Sequence, residues 1–396
     1  MAGTLNFLPA GEPQKARIKV VGVGGAGGNA VDRMICCGLN SVDFIAVNTD
    51  AQALDRNRAS VKIQIGRQLT KGLGSGGNPD IGRQAAEQDG DQLQELLQDS
   101  DLVFITAGMG GGTGTGAAPK IASLAREAGA LTVAIITKPF DFEGRRRASA
   151  AEGGIKELRD KVDTLIAIPN QRLVAIVDQR TSLLKAFELA DSILSQATRG
   201  ISDLITVPGI VNLDFADVRT IMEGMGDALI GIGVAVGEDR GTKAAGLAIS
   251  SPLLEDVKIA GAQGVLVNIT GSSEITLHEV NQAVSLINDA AGDRANVIFG
   301  AVVDDNLGEE IRVTLIATGF SHPGAKGAPI PRLEQSVDFR TPKKSADIEI
   351  PTVIRRESET RDGNGNGGRK HLGEVDLETE PPDVSLPAFL RRNGGR

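Results

Sequence analysis

The chain has 396 residues, of which 41% are hydrophobic and 23% charged, and its formal net charge is -9. This length and composition predict a globular protein of two or three domains with a substantial apolar core. The acidic balance and the absence of Trp and Tyr argue against a nucleic-acid partner, because such a partner needs basic surfaces and aromatic stacking platforms.

The N-terminal segment and the cysteines indicate the compartment. Residues 1–16 form a predicted tail without a charged stretch followed by a long apolar one, and the sequence contains no run of about 18 apolar residues. Cys36 and Cys37 are neighbours in a predicted helix, which favours neither a disulfide framework nor a zinc site. We therefore expect a cytoplasmic protein without direct membrane insertion, in which both cysteines are buried, reduced thiols.

A first glycine run follows the first predicted strand. The strand Ile18–Val21 continues into GVGGAGGN at Gly22–Asn29, and a helix is predicted from there through Met34. The run contains the GxGxxG spacing of dinucleotide-binding folds, and Asp43 and Asp50 lie where a ribose-binding acid would be sought. An NAD-binding oxidoreductase is therefore one alternative.

A second glycine run weighs against that alternative. The predicted strand Leu102–Ala107 is followed by GGGTGTG at Gly110–Gly116 and then by a helical pattern. Backbone N–H groups at such a helix start bind phosphate, and the hydroxyls of Thr113 and Thr115 add donors. Two glycine loops suit a triphosphate better than a pyrophosphate. Since no Gly-Lys dipeptide occurs, a Walker A loop is absent.

The fold class follows from alternating strand and helix patterns. Alternation of this kind predicts an α/β fold with a parallel, doubly wound sheet, in which ligands bind at the carboxyl ends of the strands. The further predicted strands are Phe44–Val47, Val61–Ile65, Leu131–Thr137 and Leu165–Ile168, and the helices are Gln92–Leu97 and Ile121–Ala128.

The glycine loop also identifies a family. AGMGGGTGTGAAP at Ala107–Pro119 resembles the signature loop of the tubulin/FtsZ superfamily, and that of bacterial FtsZ in particular. The resemblance extends over residues 17–320 and implies a Rossmann-like, tubulin-type GTPase domain that binds GTP or GDP with Mg²⁺. It also implies that Gly72–Pro79 closes on the terminal phosphate. The nucleotide-binding residues so indicated, before the central helix, are Gly24, Gly25, Ala26, Gly27, Gly28, Asn29, Gly110, Gly111, Gly112, Thr113, Gly114, Thr115, Glu143, Arg147 and Asn170.

A long amphipathic helix is predicted from about Thr181 to Ile205. Phe187 and Asp191 are four residues apart and therefore share a face. On an arbitrary helix the phenylalanine would pack in the core and the acid would face solvent. The resemblance instead assigns both to the base, where the ring stacks on the purine and the carboxylate accepts hydrogen bonds from guanine.

The loop after this helix carries the candidate catalytic residues. On pattern alone, Asp214 is a helix N-cap and Asp217 a first-turn acid. The helix leads away from the nucleotide by about 20 Å at about 1.5 Å per residue, so neither acid reaches the phosphates of its own chain. The resemblance implies that Asn212, Asp214 and Asp217 form a synergy loop that acts on the GTP of a neighbouring copy. This predicts a head-to-tail homopolymer whose GTPase is activated by polymerisation.

The remainder completes the predicted organisation. A smaller α/β unit is expected after the central helix, and then a Gly- and charge-rich disordered linker. The terminal LPAFLRR resembles the FtsZ tail that binds membrane-tethering and regulatory division proteins, which implies a division ring at midcell; a tubulin-like filament without a division role is the nearer alternative. The contacts would be Leu386, Phe389, Leu390 and Arg391. The predicted segments are a tail (1–16), a GTP-binding domain (17–180), a central helix (181–208), a C-terminal α/β domain (209–320), a linker (321–380) and a tail peptide (381–396).

Overall fold

A computed structural model describes residues 16–178, 180–254 and 259–320. The predicted linker and tail peptide lie outside these ranges. The strands are β1 (Ile18–Val23), β2 (Asp43–Asn48), β3 (Val61–Gln64), β4 (Leu102–Gly108), β5 (Leu131–Lys138), β6 (Thr164–Pro169), β7 (Gly226–Ala235), β8 (Gly264–Gly271), β9 (Asn296–Val303) and β10 (Ile311–Thr318). The helices are α1 (Gly24–Cys36), α2 (Ala51–Arg56), α3 (Arg67–Thr70), α4 (Pro79–Gln88), α5 (Gly90–Leu97), α6 (Thr113–Glu127), α7 (Arg145–Arg159), α8 (Asn170–Leu173), α9 (Leu183–Thr206), α10 (Phe215–Met222), α11 (Arg240–Ile249) and α12 (Leu277–Ala291). No helix within the described ranges is long and apolar enough to span a bilayer.

The described strands form one continuous sheet in the order β3-β2-β1-β4-β5-β6-β7-β10-β8-β9. The first six are parallel, whereas β10 runs antiparallel to both β7 and β8. The predicted α/β class is confirmed. The strands expected in a second unit are present, but they extend the first sheet because β6 pairs with β7 over Thr164–Ile166.

The order of the first strands creates a place for a ligand. The chain moves outward from β1 to β2 and β3, and then returns to place β4 on the other side of β1. A crevice forms at the carboxyl ends of the strands where the order reverses, which is where doubly wound sheets bind ligands. Both α1 and α6 begin at this edge, directly after β1 and shortly after β4.

The central helix α9 packs on one face of the sheet beside α1. Met34 of α1 and Ile201 and Leu204 of α9 belong to one buried apolar cluster. At the far end of α9, the Thr206 hydroxyl donates to the Ser41 hydroxyl at 2.8 Å, just beyond the end of α1. Because α1 begins at the crevice, α9 runs from the crevice towards the opposite edge of the sheet.

The predicted burial of Cys36 and Cys37 is wrong, since both are exposed. The buried stripe of α1 passes through Gly27, Ala30, Val31 and Met34. Cys36 is the last residue of the helix and Cys37 its C-cap, so the helix ends before either thiol reaches the core. The stop signal in the sequence is Gly38, which follows Cys37 and adopts a φ of 77°, the left-handed conformation of the glycine that commonly ends a helix.

Candidate functional site

A cleft of about 570 Å³ lies at the carboxyl ends of the parallel strands. Its walls come from the starts of α1 and α6, the segment before α4, the start of α7 and the first turns of α9. Most of the residues predicted to bind nucleotide are brought together here. Those that line the cleft are Gly25, Ala26, Asn29, Gly111, Gly112, Thr113, Gly114, Glu143, Arg147, Asn170, Phe187 and Asp191.

Other predicted residues shape the cleft without lining it. A Cβ on Gly27 would lie 2.3 Å from the Thr106 carbonyl oxygen, so this glycine lets α1 approach β4 closely. The Thr115 hydroxyl accepts a hydrogen bond from the Gly110 N–H at 2.8 Å, which closes the glycine loop from within. The predicted residues absent from the lining are Gly24, Gly27, Gly28, Gly110 and Thr115.

The two glycine runs leave bare backbone facing the cleft. A Cβ added to Gly25 or Gly111 would meet no atom within 4 Å, so a side chain at either position would occupy open space at the cleft wall. Helices begin at Gly24 and Thr113, earlier than the sequence pattern indicated. The first N–H groups of a helix have no partner within it, and its N-terminus carries partial positive charge. The two helix starts therefore form a cradle suited to an extended anion.

A buried hydroxyl cluster connects three of the loops. The Thr113 hydroxyl lies 2.6 Å from that of Thr49, after β2, and 3.1 Å from that of Ser75, before α4. Ser75 lines the cleft together with Gly74, Gly76 and Gly77. The hydrogen bond between Ser75 and Thr113 therefore ties the predicted closing segment, Gly72–Pro79, to the start of α6. Sequence reasoning missed Thr49, whose only local signal was its position directly after β2, and it included Ser75 only as a member of the segment Gly72–Pro79.

Glu143 and Arg147 form an ion pair one helical turn apart at the rim of the cleft. The Glu143 carboxylate also accepts a hydrogen bond from the Phe140 N–H at 2.9 Å, which fixes the acid to the segment that follows β5. The Arg147 side chain remains half exposed. The pair thus places a guanidinium beside the glycine loop, where it can contact an anion.

The opposite part of the cleft has the features of a purine site. The Phe187 ring is partly exposed and is held edge-on by Phe140, with ring centroids 5.4 Å apart. Asp191 lies one turn further along α9, and burial raises the pKa of its carboxyl to about 6 although Arg33 acts in the opposite direction. The Asn170 Oδ1 atom is buried without a hydrogen-bond partner in the described part of the chain. A ring, a carboxylate and an unpaired amide oxygen can together recognise a base that offers several donors.

Asp43 and Asp50, the candidate ribose-binding acids of a dinucleotide site, lie in positions that do not suit that role. Asp43 begins β2 and so lies at the edge of the sheet opposite the cleft. Asp50 does line the cleft, but its carboxylate caps α2 by accepting from the N–H groups of Gln52 and Ala53 at 2.9 and 3.2 Å. Neither residue is left as a dedicated ribose ligand, so the arrangement does not favour the dinucleotide alternative.

The predicted catalytic residues lie beyond the far end of α9. The Asn212 Oδ1 atom accepts a hydrogen bond from the Gly209 N–H at 2.6 Å, which shapes the loop. Asp214 occupies the N-cap position of α10, as the pattern predicted, yet its side chain caps nothing there. Asp217 follows in the first turn, and both acids are exposed. The loop therefore presents two carboxylates to the outside of the molecule.

Comparisons with known proteins agree with this geometry. Residues 17–178 match the GTPase domain of the tubulin/FtsZ family, and residues 226–321 match the C-terminal domain of the FtsZ family. An FtsZ dimer from M. jannaschii is 45% identical, with a TM-score of 0.75 over 78% of this chain and 89% of that one.

More distant structures share the fold. A GDP-bound CetZ1 monomer from Haloferax volcanii is 20% identical, with a TM-score of 0.67 over 80% of this chain and 96% of that one. A GTPγS-bound CetZ2 protofilament from the same organism is 21% identical, with a TM-score of 0.65 over 77% and 94%. On the two domain matches and the 45% identity, the chain belongs to the FtsZ family and carries its GTPase domain.

Proposed function

We propose that this chain binds GTP in the cleft and hydrolyses it only when a second copy completes the site. The guanine would stack on Phe187 while the Asp191 carboxylate accepts from its ring N–H and its exocyclic amine. Adenine does not offer that pair of donors. The orphaned amide oxygen of Asn170 supports a polar base at this end of the cleft.

The phosphates would lie along the starts of α1 and α6. Backbone N–H groups and the helix dipoles stabilise their negative charge there, and Arg147 adds a cation. In the part of the chain that the structure describes, no three acidic, histidine or cysteine side chains are grouped as a metal site. Mg²⁺ would therefore be held chiefly by the triphosphate and water, where it neutralises phosphate charge.

The observation that carries the proposal is the position of the acids relative to the cleft. Phe187 and Asp191 lie in the first turns of α9, whereas Asp214 and Asp217 follow its last residue. From Asp191 to the last residue, Thr206, the helix rises by 15 residues, which corresponds to about 22 Å at about 1.5 Å per residue. A single rigid chain cannot bring these two groups together, so the acids act on the nucleotide of another copy.

The two carboxylates would orient the water that attacks the γ-phosphate. As exposed acids without a capping role, they are available to accept its hydrogen bonds, and Asn212 would hold the loop in shape. Positioning of water supplies much of the catalysis in phosphoryl transfer, because the protein has little covalent chemistry to perform. GTP would then be hydrolysed at each junction between copies.

A contact between unlike ends of identical chains generates a filament when the rotation does not close a ring. The FtsZ dimer and the CetZ2 protofilament among the similar structures support self-association of this kind. We propose that the filament forms the cytoplasmic division ring at midcell, with the tail peptide (381–396) binding membrane-tethering and regulatory proteins. The second candidate function is a filament that has no role in division, which would apply if the tail peptide binds no such protein.

Mixing two inactive variants tests the shared site. Chains with Asp214→Ala and Asp217→Ala keep the cleft, and chains with Asp191→Ala keep the acids. Each alone should hydrolyse GTP poorly, and an equimolar mixture should recover about a quarter of the wild-type rate, the share of junctions that join an intact cleft to intact acids. Asp289→Ala with Asp293→Ala, which removes two exposed acids elsewhere, is the matched control. A mixture no faster than its components would contradict the proposal.

A further inference from the structure

Arg33 and Glu188 form an ion pair that joins α1 to α9 beside the cleft. The Arg33 guanidinium lies 4.0 Å from the Glu188 carboxylate; the arginine is partly buried and the acid is exposed. Neither residue is among those that line the cleft. The pair is therefore not placed to touch a bound nucleotide, and GTP hydrolysis as proposed above gives it no role.

The ion pair lies next to the residues that form the base end of the cleft. Arg33 follows Asn29 by four residues on α1, and Glu188 precedes Asp191 by three residues on α9. Each partner therefore shares a helix face with a residue of the cleft wall. Because α1 and α9 pack together in one apolar cluster, the ion pair is held within about one helical turn of Asp191.

Two neighbouring charges act on the Asp191 carboxyl in opposite directions. Besides burial, which raises the pKa of this group, the Arg33 guanidinium lowers the pKa and the Glu188 carboxylate raises it. The other charged side chains that line the cleft are those of Asp50, Glu143 and Arg147. The first of these caps α2, and the other two are paired with each other. Among the described residues, Arg33 is therefore the cation that favours the ionised form of Asp191.

We propose that Arg33 determines base specificity without touching the base, by holding Asp191 in the charged form that accepts both guanine donors. This inference rests on the proposed function, in which Asp191 recognises the guanine. A guanidinium keeps its proton at every pH at which the protein is folded, so its effect on Asp191 is permanent. Glu188 anchors the guanidinium through the ion pair and at the same time weakens its effect. Arg33 is thus a positioning residue that acts through Asp191.

Two substitutions break the same ion pair but change the charge near Asp191 in opposite directions. Arg33→Gln removes the attractive charge, so the midpoint of the pH dependence of GTP binding should rise by about half to one pH unit. GTP should then bind about two- to fivefold more weakly at pH 6 and almost equally well at pH 7.5. Glu188→Gln removes a repulsive charge and should lower the midpoint, by a smaller amount because this acid is exposed. Arg33→Lys keeps the charge and should keep the wild-type midpoint.

Equilibrium dialysis of GTP with the full chain between pH 5 and 8 measures the midpoint, at about 50 mM salt because higher salt screens partly exposed charges. Each variant is compared with the same variant carrying Asp191→Asn. This comparison cancels the titration of the phosphates and any effect of the substituted residue on them. Melting temperatures check that all variants fold. An unchanged midpoint in Arg33→Gln, or shifts in the same direction in Arg33→Gln and Glu188→Gln, would overturn the inference, because loss of a merely structural ion pair affects both variants alike.

The same measurements separate a failure of this inference from a failure of the proposed function. If Asp191→Asn binds GTP as tightly as wild type at every pH, the assignment of Asp191 to the guanine is wrong, and the specificity role of Arg33 is wrong with it. If Asp191→Asn weakens GTP binding but Arg33→Gln leaves the midpoint where it is in wild type, the guanine site stands and only the role of Arg33 is refuted.

Discussion

The affinity for GTP should fall at acidic pH because the Asp191 carboxyl becomes protonated. Burial raises the pKa of this carboxyl to about 6 in the free protein, whereas recognition of two guanine donors requires the ionised form. Below pH 6 the free protein holds a proton that must be released on binding, so affinity should fall by about tenfold per pH unit. Above pH 7 the carboxyl is ionised and affinity should be nearly constant with respect to this group.

Comparison with the variant Asp191→Asn separates protonation of Asp191 from protonation of the GTP phosphates, because the phosphates titrate with both proteins. Loss of a charged acceptor costs about 2–3 kcal/mol, which corresponds to about 30- to 150-fold weaker GTP binding at pH 7.5. The ratio of wild-type to variant affinity should shrink as the pH falls from 7 to 5. Xanthosine triphosphate, which has a carbonyl in place of the amine, should lose much less affinity in the variant.

Equilibrium binding of both nucleotides across this pH range, measured by dialysis, is the assay. The free chain provides an independent check, because a raised pKa in the folded state means that the ionised carboxyl destabilises the fold. The protonated carboxyl carries no such cost, so the contribution of Asp191 to the free energy of unfolding falls as the pH rises through about 6. Asp191→Asn should therefore unfold at higher temperature than wild type at pH 7.5. An unchanged affinity ratio between pH 7 and 5 would refute this role of Asp191.

Three further predictions concern other parts of the site. Gly25→Ala should fold normally yet weaken GTP binding at least tenfold. Gly27→Ala, whose Cβ would lie 2.3 Å from a β4 carbonyl oxygen, should instead lower the melting temperature. Calorimetry and nucleotide binding on both variants check this, and equal melting temperatures would contradict the packing argument. Ser75→Ala should reduce the preference for GTP over GDP several-fold, because it frees the closing loop from Thr113; equal losses for both nucleotides would contradict this. Asp214→Ala should bind GTP and sediment with it but hydrolyse it on the order of 100-fold more slowly, as single-turnover phosphate release would show; failure to bind GTP would contradict its role.

Local patterns predicted which residues lie together, whereas the resemblance to the tubulin/FtsZ superfamily assigned most of them to the nucleotide. Phe187 and Asp191 were placed together by helical spacing, and both line the cleft. The glycine runs were recognised as phosphate loops from their position after strands. The pattern also placed Asp214 at an N-cap, but it could not show that the side chain would remain unbonded.

Long-range contacts account for what the sequence did not reveal. Gly25 and Gly27 look alike in the run, yet one faces the cleft and the other allows α1 to pack on β4. The hydroxyl cluster joins residues from three separated segments, so no local spacing marks Thr49 or Ser75. The pairing of β6 with β7, which makes one sheet of the two expected units, likewise depends on strands separated by the whole central helix.

The rate of GTP hydrolysis per chain, measured across a wide range of protein concentrations, tests most directly whether two copies share each active site. At concentrations too low for assembly, phosphate release per chain should be close to zero, and it should rise steeply once sedimentable filaments form. A rate per chain that stays constant on dilution would show that one copy suffices, and the account of a site divided between neighbours would be wrong.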